Sequence, residues 1–302
     1  MNRIRNIFRV VAVLLLFVSL VSAAEITVVL TSKHPTYQAA YRGIEAVMVA
    51  RKHTVKRVLL ADLKSGKHKV GSGGAWISVG TEAAYMVHPL LPSDSIHTCC
   101  LTLKPEGIKG LDRHALHGVS LRIPVEGQMK LISEILPRSR RVGMLYNSKA
   151  DSQKKLVADV KGSLPEGLAL EAVDIAGYAR LKDAIKELYA RDIDVVWTSS
   201  EVGIYNVGTL SAVLLTGLKK RVPVFGFALN VIKMGSLMGV YVDPMEHGRQ
   251  VAGLTDDLIK TNKVPKGFSD PRFKVGLNRV VAERLRIRLS DAAYRRADYV
   301  KK

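Results

Sequence analysis

The sequence has very few cysteines, and this scarcity limits the classes of protein to which it can belong. Only Cys99 and Cys100 occur in 302 residues. Adjacent side chains on a strand point to opposite faces, so a disulfide between these two would be strained and a framework of long-range disulfides is excluded. We interpret both as small buried hydrophobic residues, with a redox pair as the alternative. The length suits about two globular domains of roughly 150 residues each.

Acidic residues are also few. The sequence contains 27 Asp and Glu and 46 Lys and Arg, which gives a net charge of +19. This charge favours anionic ligands, acidic partners, nucleic acid or an anionic membrane surface, without choosing among them. Apart from the N-terminus, no segment is apolar for the roughly 20 residues that a membrane-spanning helix needs. A Gly-x-Ser-x-Gly elbow, a phosphate-binding loop and a cluster with zinc-ligand spacing are all missing. We therefore expect no enzyme activity, no cofactor and no metal site.

The first two dozen residues form three blocks: basic MNRIRNIFR, apolar VVAVLLLFVSLV, and the small residues Ser22, Ala23 and Ala24. This order is typical of a secretory signal peptide, and we predict that residues 1–24 are cleaved and that the mature protein is periplasmic. A retained membrane anchor is the alternative, although an apolar block of about a dozen residues is short for a span. No cysteine follows the block, so a lipid tether is not expected.

After Glu25, short apolar segments alternate with amphipathic ones. We predict strands at 26–30, 56–61, 75–80, 140–146, 168–175, 194–199, 222–227 and 236–241. Helical spacing covers 37–51, 82–88, 125–136, 153–163, 178–190, 207–219, 245–261 and 279–285. This alternation predicts α/β architecture, with parallel sheets covered by helices on both faces.

Two segments interrupt the pattern and indicate a division into lobes. The segment 102–122 is basic and weakly periodic, and 265–271 contains two prolines. Both are suited to carry the chain from one sheet to another. We predict a first lobe from residues 25–117 and 245–270, and a second from residues 118–244 and 271–302.

Several segments, taken in order, resemble the periplasmic substrate-binding proteins of ABC importers, and in particular the tryptophan- and tyrosine-type binding components. They are TSKHPTYQAAYRGIEAV, SVGTEAA, ISEILPRSRRVGMLYNSKA, DIDVVWTSSEVGIYN, KRVPVFGF, GSLMGVYVDPMEHGRQVA and VGLNRVVAERLRIRLS. The resemblance implies a type I periplasmic binding protein fold, in which two Rossmann-like lobes are joined by a three-strand hinge. It also implies that the lobes close over a small ligand without performing chemistry on it.

The sequence departs from the family pattern in three places. The segment 62–74 holds only a dozen or so residues where the family has a second helix, so this helix is predicted to be shortened or lost. The stretches TCCLTLKPEG and LDRHALHGVS replace the usual ligand loops, and Glu201 stands where the family has Asp. The ligand of the relatives therefore does not simply carry over.

Candidate ligand-binding residues follow the predicted strands, because ligands of open α/β sheets bind at the carboxyl ends of strands. Ser32 and Thr81 follow two strands of the first lobe, and Asn147 follows the first strand of the second lobe. Thr81, after Gly80, opens a helix whose free N–H groups favour an anionic group, with a role as N-cap as the alternative. For Ser32 and Asn147 the alternative is a role in a turn.

In the second lobe, Ser199, Ser200 and Glu201 match the family segment that contacts ligand. Glu201 is suited to bind an ammonium or guanidinium group, with a solvated side chain as the alternative. The resemblance also implies a ligand contact at Asp243, for which capping of the helix near Met245 is the alternative.

Phe227 and Asn230 follow the strand at 222–227 and are candidates for one aromatic and one polar ligand contact. Core packing or a turn is the alternative for each.

The leading functional hypothesis is a periplasmic solute-binding protein of an ABC importer, which captures an amino-acid-like or anionic small molecule and presents it to an inner-membrane permease. The alternative is an accessory or sensor protein of the cell envelope that uses the same fold to bind a protein or lipid. We expect a monomer. Nucleic acid is not expected as a partner, because a repressor of this fold carries a helix-turn-helix at the N-terminus, where this chain has a leader.

Overall fold

Apolar segments form the central strands, as their β-branched residues predict. The computed structural model describes residues 23–71, 74–103, 105–111, 115–201, 203–261 and 267–302, so the predicted signal peptide lies outside the described residues except for its last two. In strand β1, Glu25–Leu30, every residue after the first is buried, and all of β3, Ala75–Val79, is buried. Continuous burial of this kind is typical of parallel strands covered on both faces.

The chain divides into two compact units. Unit 1 comprises residues 1–120 and Pro244–Ser269, and unit 2 comprises Leu121–Asp243 and Asp270–Lys302. The chain therefore passes between the units after Ser120, after Asp243 and after Ser269. The sequence placed these crossings at residues 117, 244 and 270.

Unit 1 contains a sheet of parallel strands in the order β2-β1-β3-β4-β5-β11. Numbered along the chain, its further strands are β2 Thr54–Leu59, β4 Ile96–Cys100, β5 His117–Val119 and β11 Gly267–Ser269. Its helices are α1 Pro35–Ala50, α2 Leu60–Lys64, α3 Thr81–Val87 and α9 Pro244–Thr261.

Unit 2 contains a sheet in the order β7-β6-β8-β9-β10-β12-β13, in which only the pairing of β10 with β12 is antiparallel. Its strands are β6 Arg141–Tyr146, β7 Ala169–Asp174, β8 Val195–Trp197, β9 Val224–Gly226, β10 Met238–Tyr241, β12 Lys274–Asn278 and β13 Tyr299–Lys301. Its helices are α4 Val125–Ile135, α5 Asp151–Gly162, α6 Leu181–Leu188, α7 Val207–Lys220, α8 Leu229–Met234, α10 Arg279–Leu285 and α11 Asp291–Arg296.

The hydrophobic core of unit 2 lies on both faces of its sheet. Val195 and Trp197 of β8 belong to one buried cluster, whereas Val196 between them belongs to another. Successive side chains of a strand point to opposite faces, so helices cover this sheet on both sides. The predicted α/β architecture with parallel sheets is confirmed.

The two sheets reverse their strand order at equivalent positions. In unit 1, β2 lies on one side of β1, and the next strands along the chain, β3, β4 and β5, lie on the other side. In unit 2, β7 lies on one side of β6, and β8, β9 and β10 lie on the other side. In doubly wound sheets, a crevice opens at such a reversal because the connections on its two sides leave toward opposite faces.

Two regions differ from the sequence prediction. The strand predicted at 56–61 ends at Leu59, and a five-residue helix follows, which confirms that the helix in this connection is shortened. Strand β4 was missed because its sequence, IHTCC, contains polar residues. His97 Nε2 lies 2.8 Å from Ser78 Oγ, and Thr98 Oγ1 lies 2.7 Å from Thr255 Oγ1. Partners that are distant in sequence thus allow these polar side chains to be buried.

Shorter elements were also missed. Strand β5 lies inside the segment 102–122 that was predicted as a crossing. The remaining missed elements are β11, β12, β13, α8 and α11. All of them contain only three to six residues, too few to show a hydrophobic period.

Helices α1 and α9 of unit 1 approach each other through glycines. A Cβ atom on Gly43 would overlap the backbone of Met245, and one on Gly248 would overlap the backbone of Ala40. The two helices therefore pack backbone against backbone at this crossing, which only the absence of side chains permits.

The end of α9 is anchored by the buried carboxylate of Asp256. Its oxygens accept hydrogen bonds from Arg51, from Lys260 Nζ at 2.8 Å and from His53 Nε2 at 2.9 Å. The backbone N–H of Ala24 donates to His53 Nδ1 at 3.1 Å, so the ring proton lies on Nε2. Burial, with Lys260 and Arg51 nearby, lowers the pKa of His53. The histidine is therefore neutral, and the two longer cations balance the buried carboxylate.

Cys99 and Cys100 are fully buried free thiols, as predicted. Burial raises the pKa of Cys99 to about 12. Cys100 Sγ lies 3.3 Å from His247 Nδ1, and His247 Nε2 lies 3.3 Å from the carbonyl oxygen of Ser120. Burial lowers the pKa of His247 to about 4, which keeps this ring neutral.

Among the described residues, none of the helices combines the length and the apolar character that a bilayer crossing requires.

The glycine contact predicts a contrast between two substitutions on one helix. Gly248→Ala is expected to destabilise the protein by about 2 kcal/mol or more, because the new Cβ forces α1 and α9 apart. Gly253, also on α9, has open space around its Cβ position, and Gly253→Ala is expected to stabilise by up to about 1 kcal/mol through helix propensity. Urea denaturation of both variants measures the difference, and equal effects would contradict the close crossing.

Neutral His247 predicts a loss of stability in acid. In the unfolded chain a histidine titrates near 6.5, so that state gains a proton first as the pH falls. Stability that is complete above about pH 6.5 is lost toward pH 4, by about 3 kcal/mol for a shift of this size. Unfolding free energies between pH 7.5 and 4.5 are expected to show a shallower slope in His247→Gln than in the wild type. His68→Gln serves as the control and should leave the slope unchanged.

Candidate functional site

The carboxyl ends of β1 and β3 form the candidate edge of unit 1. These strands pair side by side, with Leu30 opposite Val79. Ser32 and Thr81 therefore lie close to each other, at the reversal of strand order. The backbone N–H of Thr31 donates to the carbonyl oxygen of Val79 at 3.0 Å and ties the two strand ends together.

Thr31 caps helix α3 in place of Thr81. Its Oγ1 accepts a hydrogen bond from the N–H of Ala83 at 3.2 Å and donates to the carbonyl oxygen of Val79 at 3.0 Å. Gly80, at φ +98°, is the N-cap residue, and Thr81 is the first residue of the helix. The alternative role of Thr81 as N-cap is therefore wrong.

Thr81 and Ser32 each accept one backbone hydrogen bond. Thr81 Oγ1 accepts from the N–H of Leu103 at 2.9 Å, which fixes the loop after β4. Ser32 Oγ accepts from the N–H of His34 at 3.2 Å and so serves a turn. Both hydroxyl groups keep a proton with which to donate a further hydrogen bond.

The carboxyl ends of β6 and β8 form the candidate edge of unit 2, again at the reversal of strand order. Asn147 follows β6, and its Oδ1 accepts from the N–H of Lys149 at 3.0 Å. The structure thus shows the turn that was the alternative role for Asn147. Its side-chain amide remains as a donor at the strand end.

Ser199, Ser200 and Glu201 follow β8 and differ in their surroundings. Ser200 is exposed. The hydroxyl oxygen of Ser199 is buried and has no hydrogen-bond partner among the described residues. Glu201 is partly buried; its Oε2 accepts from Gln153 Nε2 at 3.1 Å, and its Oε1 lies 3.5 Å from the N–H of Gly203.

Gln153, in the first turn of α5, was missed in the sequence. Its side chain is only 4% exposed, and its carbonyl oxygen Oε1 has no partner within the described part of the chain. Because both oxygens of Glu201 are acceptors, the amide must turn its NH₂ group toward them and its oxygen away. Nothing in the sequence distinguishes Gln153 from the exposed polar residues of the same helix.

Phe227 and Asn230 follow the next strand, β9. Phe227 is partly buried and packs on Tyr205 with ring centroids 6.4 Å apart. It therefore contributes to packing, the alternative given to it. Asn230 is exposed and lies in the first turn of α8, so its alternative role in a turn is wrong.

Asp243 follows β10 and forms an ion pair with Lys274, with 3.3 Å between Oδ2 and Nζ. Strand β10 is two strands away from β8 in the sheet, which corresponds to about 10 Å. The structure thus brings Asn147, Gln153, Ser199 and Glu201 together around the reversal in unit 2, and it places Asp243 further along the same edge.

Among the described residues, no group of three or more His, Cys, Asp or Glu side chains is arranged to hold a metal ion. The chemistry of the unit 2 edge is that of hydrogen-bond acceptors, supplied by a carboxylate, an amide carbonyl and a hydroxyl. The unit 1 edge offers hydroxyl groups at a strand end. Such groups hold and orient a small polar molecule.

Solved structures share this fold over nearly the whole chain. A protein from Streptococcus pneumoniae described as an ABC domain in complex with L-Trp is 19% identical, with a TM-score of 0.60, and the match covers 92% of this chain and 100% of that one. A ligand-free substrate-binding protein with adhesive properties from Clostridium difficile is 14% identical, with a TM-score of 0.68, over 93% of this chain and 100% of that one.

A periplasmic ribose ABC transporter protein from Conexibacter woesei is 12% identical, with a TM-score of 0.56, over 91% of this chain and 98% of that one. No curated protein matches the sequence. At these identities the structural matches establish the fold, which is that of the type I periplasmic binding proteins.

Residues 107–301 match the model of a family described as ABC transporter substrate binding protein. This range covers all of unit 2 except its last residue, Lys302, and it includes α9 of unit 1. By this match the chain belongs to the family of ABC transporter substrate-binding proteins.

Proposed function

We propose that this protein is the periplasmic solute-binding component of an ABC importer and that it binds a small molecule at the strand ends where the sheet order reverses. One observation carries the proposal. Ser199 Oγ and Gln153 Oε1, which have no hydrogen-bond partner among the described residues, are buried at the reversal in unit 2. A buried polar group that lacks a partner costs about 1–3 kcal/mol, so its retention at this edge favours a role in binding.

The proposed ligand contacts lie at the carboxyl-terminal strand ends of each sheet. Ser32 and Thr81 supply hydroxyl groups from unit 1, and Asn147, Ser199 and Glu201 supply polar groups from unit 2. Ser200, Phe227, Asn230 and Asp243 remain candidate contacts at the unit 2 edge. Support comes from family membership and from the equivalent position of the two edges in their sheets.

Binding would work by selection between conformations. A ligand that binds one conformation of the protein more tightly than another increases the population of the first conformation. The liganded protein would then be presented to an inner-membrane permease. The binding protein itself would perform no reaction and would act as a monomer.

An amino-acid-like ligand is the first choice. The Streptococcus pneumoniae structure, described as a complex with L-Trp, supports this class. A simple anion is the second choice, which the positive net charge of +19 supports. The leader sequence supports export to the periplasm, where such a ligand would be captured.

The proposal predicts that binding and stability respond to different substitutions. The purified mature protein is screened by thermal shift against the common L-amino acids, small carboxylates and sugars, and hits are measured by calorimetry. Glu201→Ala is expected to weaken binding about tenfold or more, because a hydrogen bond to a charged group is worth about 1.5–3 kcal/mol. Any change in the melting temperature of the unliganded protein should reflect only the lost hydrogen bond from Gln153 Nε2.

Thr31→Val is the matched control, because it removes the cap of α3 and leaves the proposed ligand contacts in place. It should lower the free energy of unfolding by about 1 kcal/mol without changing affinity at the unit 2 edge. A protein that binds none of these solutes but captures an envelope lipid or protein would contradict the importer role and favour an accessory one.

A further inference from the structure

We propose that unit 1 contains a second small-molecule site, on the face of its sheet that the short helix α2 covers, and that this site takes a one-ring aromatic carboxylate. The residues that carry the argument lie toward the amino-terminal ends of the strands, whereas the candidate site of the proposed function lies at their carboxyl ends. The inference therefore goes beyond the proposed function and does not depend on it.

The first step concerns how the two faces of this sheet are covered. One face is packed against α1 and α9, which contain 16 and 18 residues. On the other face α2 has only five residues, and residues 65–71 after it form no helix or strand. The N–H of His68 donates to the carbonyl oxygen of Asp62 at 3.2 Å and ties this segment to α2. A cavity of about 270 Å³ remains on this face.

The second step concerns three neighbouring side chains that line the cavity. Thr27 in β1 is paired with Lys56 of β2 on one side and with Trp76 of β3 on the other. Paired residues point to the same face of a sheet, so an ammonium group, a hydroxyl and an indole follow one another across three strands. Neighbouring strands are about 4.8 Å apart, which places the backbones of Lys56 and Trp76 about 10 Å from each other.

The third step concerns the charge of the cavity. Lys56 and Lys69 both line it, are exposed, and form no ion pair with a described residue. The nearby Lys64 of α2, in contrast, is paired with Glu82 at 2.5 Å. Glu25 also lines the cavity, so two ammonium groups face one carboxylate and the lining keeps a positive charge. An anionic group would neutralise this charge.

The fourth step concerns the body of the ligand. Trp76, Val58 and Leu63 are at most 8% exposed and form the apolar wall of the cavity. An aromatic ring packs well against an indole, and an ammonium group donates strong hydrogen bonds to a carboxylate. Thr27 is 9% exposed, and its hydroxyl has no partner among the described residues, so it can also donate to the carboxylate. Small-molecule pockets usually measure about 300–1,000 Å³, so this cavity suits a single ring.

The test uses sodium benzoate as the probe on the full mature protein. The chain has two tryptophans, and Trp197 lies in unit 2, where its indole N–H donates to Gln128 Oε1 at 2.9 Å. The two indole N–H signals are followed by ¹H–¹⁵N NMR, and the signal of Trp76 is assigned by its absence in Trp76→Phe. Benzoate is expected to shift the Trp76 signal in a saturable way and to leave the Trp197 signal in place.

Two salts at the same ionic strength separate the parts of the ligand. Sodium acetate has the carboxylate without the ring, and benzylammonium chloride has the ring with the opposite charge. Both are expected to shift the Trp76 signal at least about tenfold more weakly than benzoate at equal concentration, because each lacks one of the two groups that the cavity matches.

Variants separate the cavity from general charge effects. Lys56→Gln and Lys69→Gln are each expected to weaken benzoate binding about tenfold, the effect of one lost hydrogen bond to a charged group. Thr27→Val, which keeps the shape of the side chain, should weaken it about three- to tenfold. Lys64→Gln is the matched control, since it removes the same charge from a residue outside the lining, and it should leave binding unchanged.

Three outcomes would overturn the inference. The first is the absence of a saturable Trp76 shift with benzoate. The second is an equal shift with acetate or with benzylammonium, which would mean that charge alone or the apolar wall alone attracts the probe. The third is an equal loss of affinity in Lys64→Gln and Lys56→Gln. The proposed function is tested separately, by the solute screen and Glu201→Ala.

Discussion

The backbone contact between α1 and α9 joins two parts of unit 1 that are far apart in the sequence. Helix α1 follows the first strand, whereas α9 enters unit 1 only after the chain has passed through most of unit 2. Gly43 and Gly248 permit the close approach, and the buried carboxylate of Asp256 fixes the end of α9 against the segment that leads into β2. The position of α1, and with it the loop that carries Ser32, depends on this contact.

The parallel α/β architecture was predictable because the central strands are buried on both faces and therefore consist of apolar residues. Strand β4 was not predictable, because His97 and Thr98 make it look polar. Their burial depends on Ser78 and Thr255, which come from other elements. A hydrophobic pattern indicates which residues of a segment are exposed to solvent. It contains no information on hydrogen bonds between segments that are distant in the sequence.

Part of the candidate site was also predictable, because the strand ends at a reversal of sheet order are set by topology. Asn147, Ser199 and Glu201 follow directly from this rule. Gln153 does not, since its importance lies in a buried oxygen for which the described residues supply no donor. The role of Thr31 as the cap of α3 was missed for a related reason: the cap is supplied by a neighbouring strand, whereas sequence rules seek it next to the helix.

The late arrival of α9 affects how the chain folds as it is synthesised from its N-terminus. The parallel strands β6 to β10 of unit 2 lie in one continuous stretch, and their mutual contacts need no later residue. The folding of unit 1 is completed later, because His53 and Asp256 are 203 residues apart. Contacts of such long range form slowly. Until α9 emerges, the face of α1 that contains Gly43 stays uncovered. An early segment of the chain is thus among the last to be covered, and its exposed apolar surface is prone to aggregation until then.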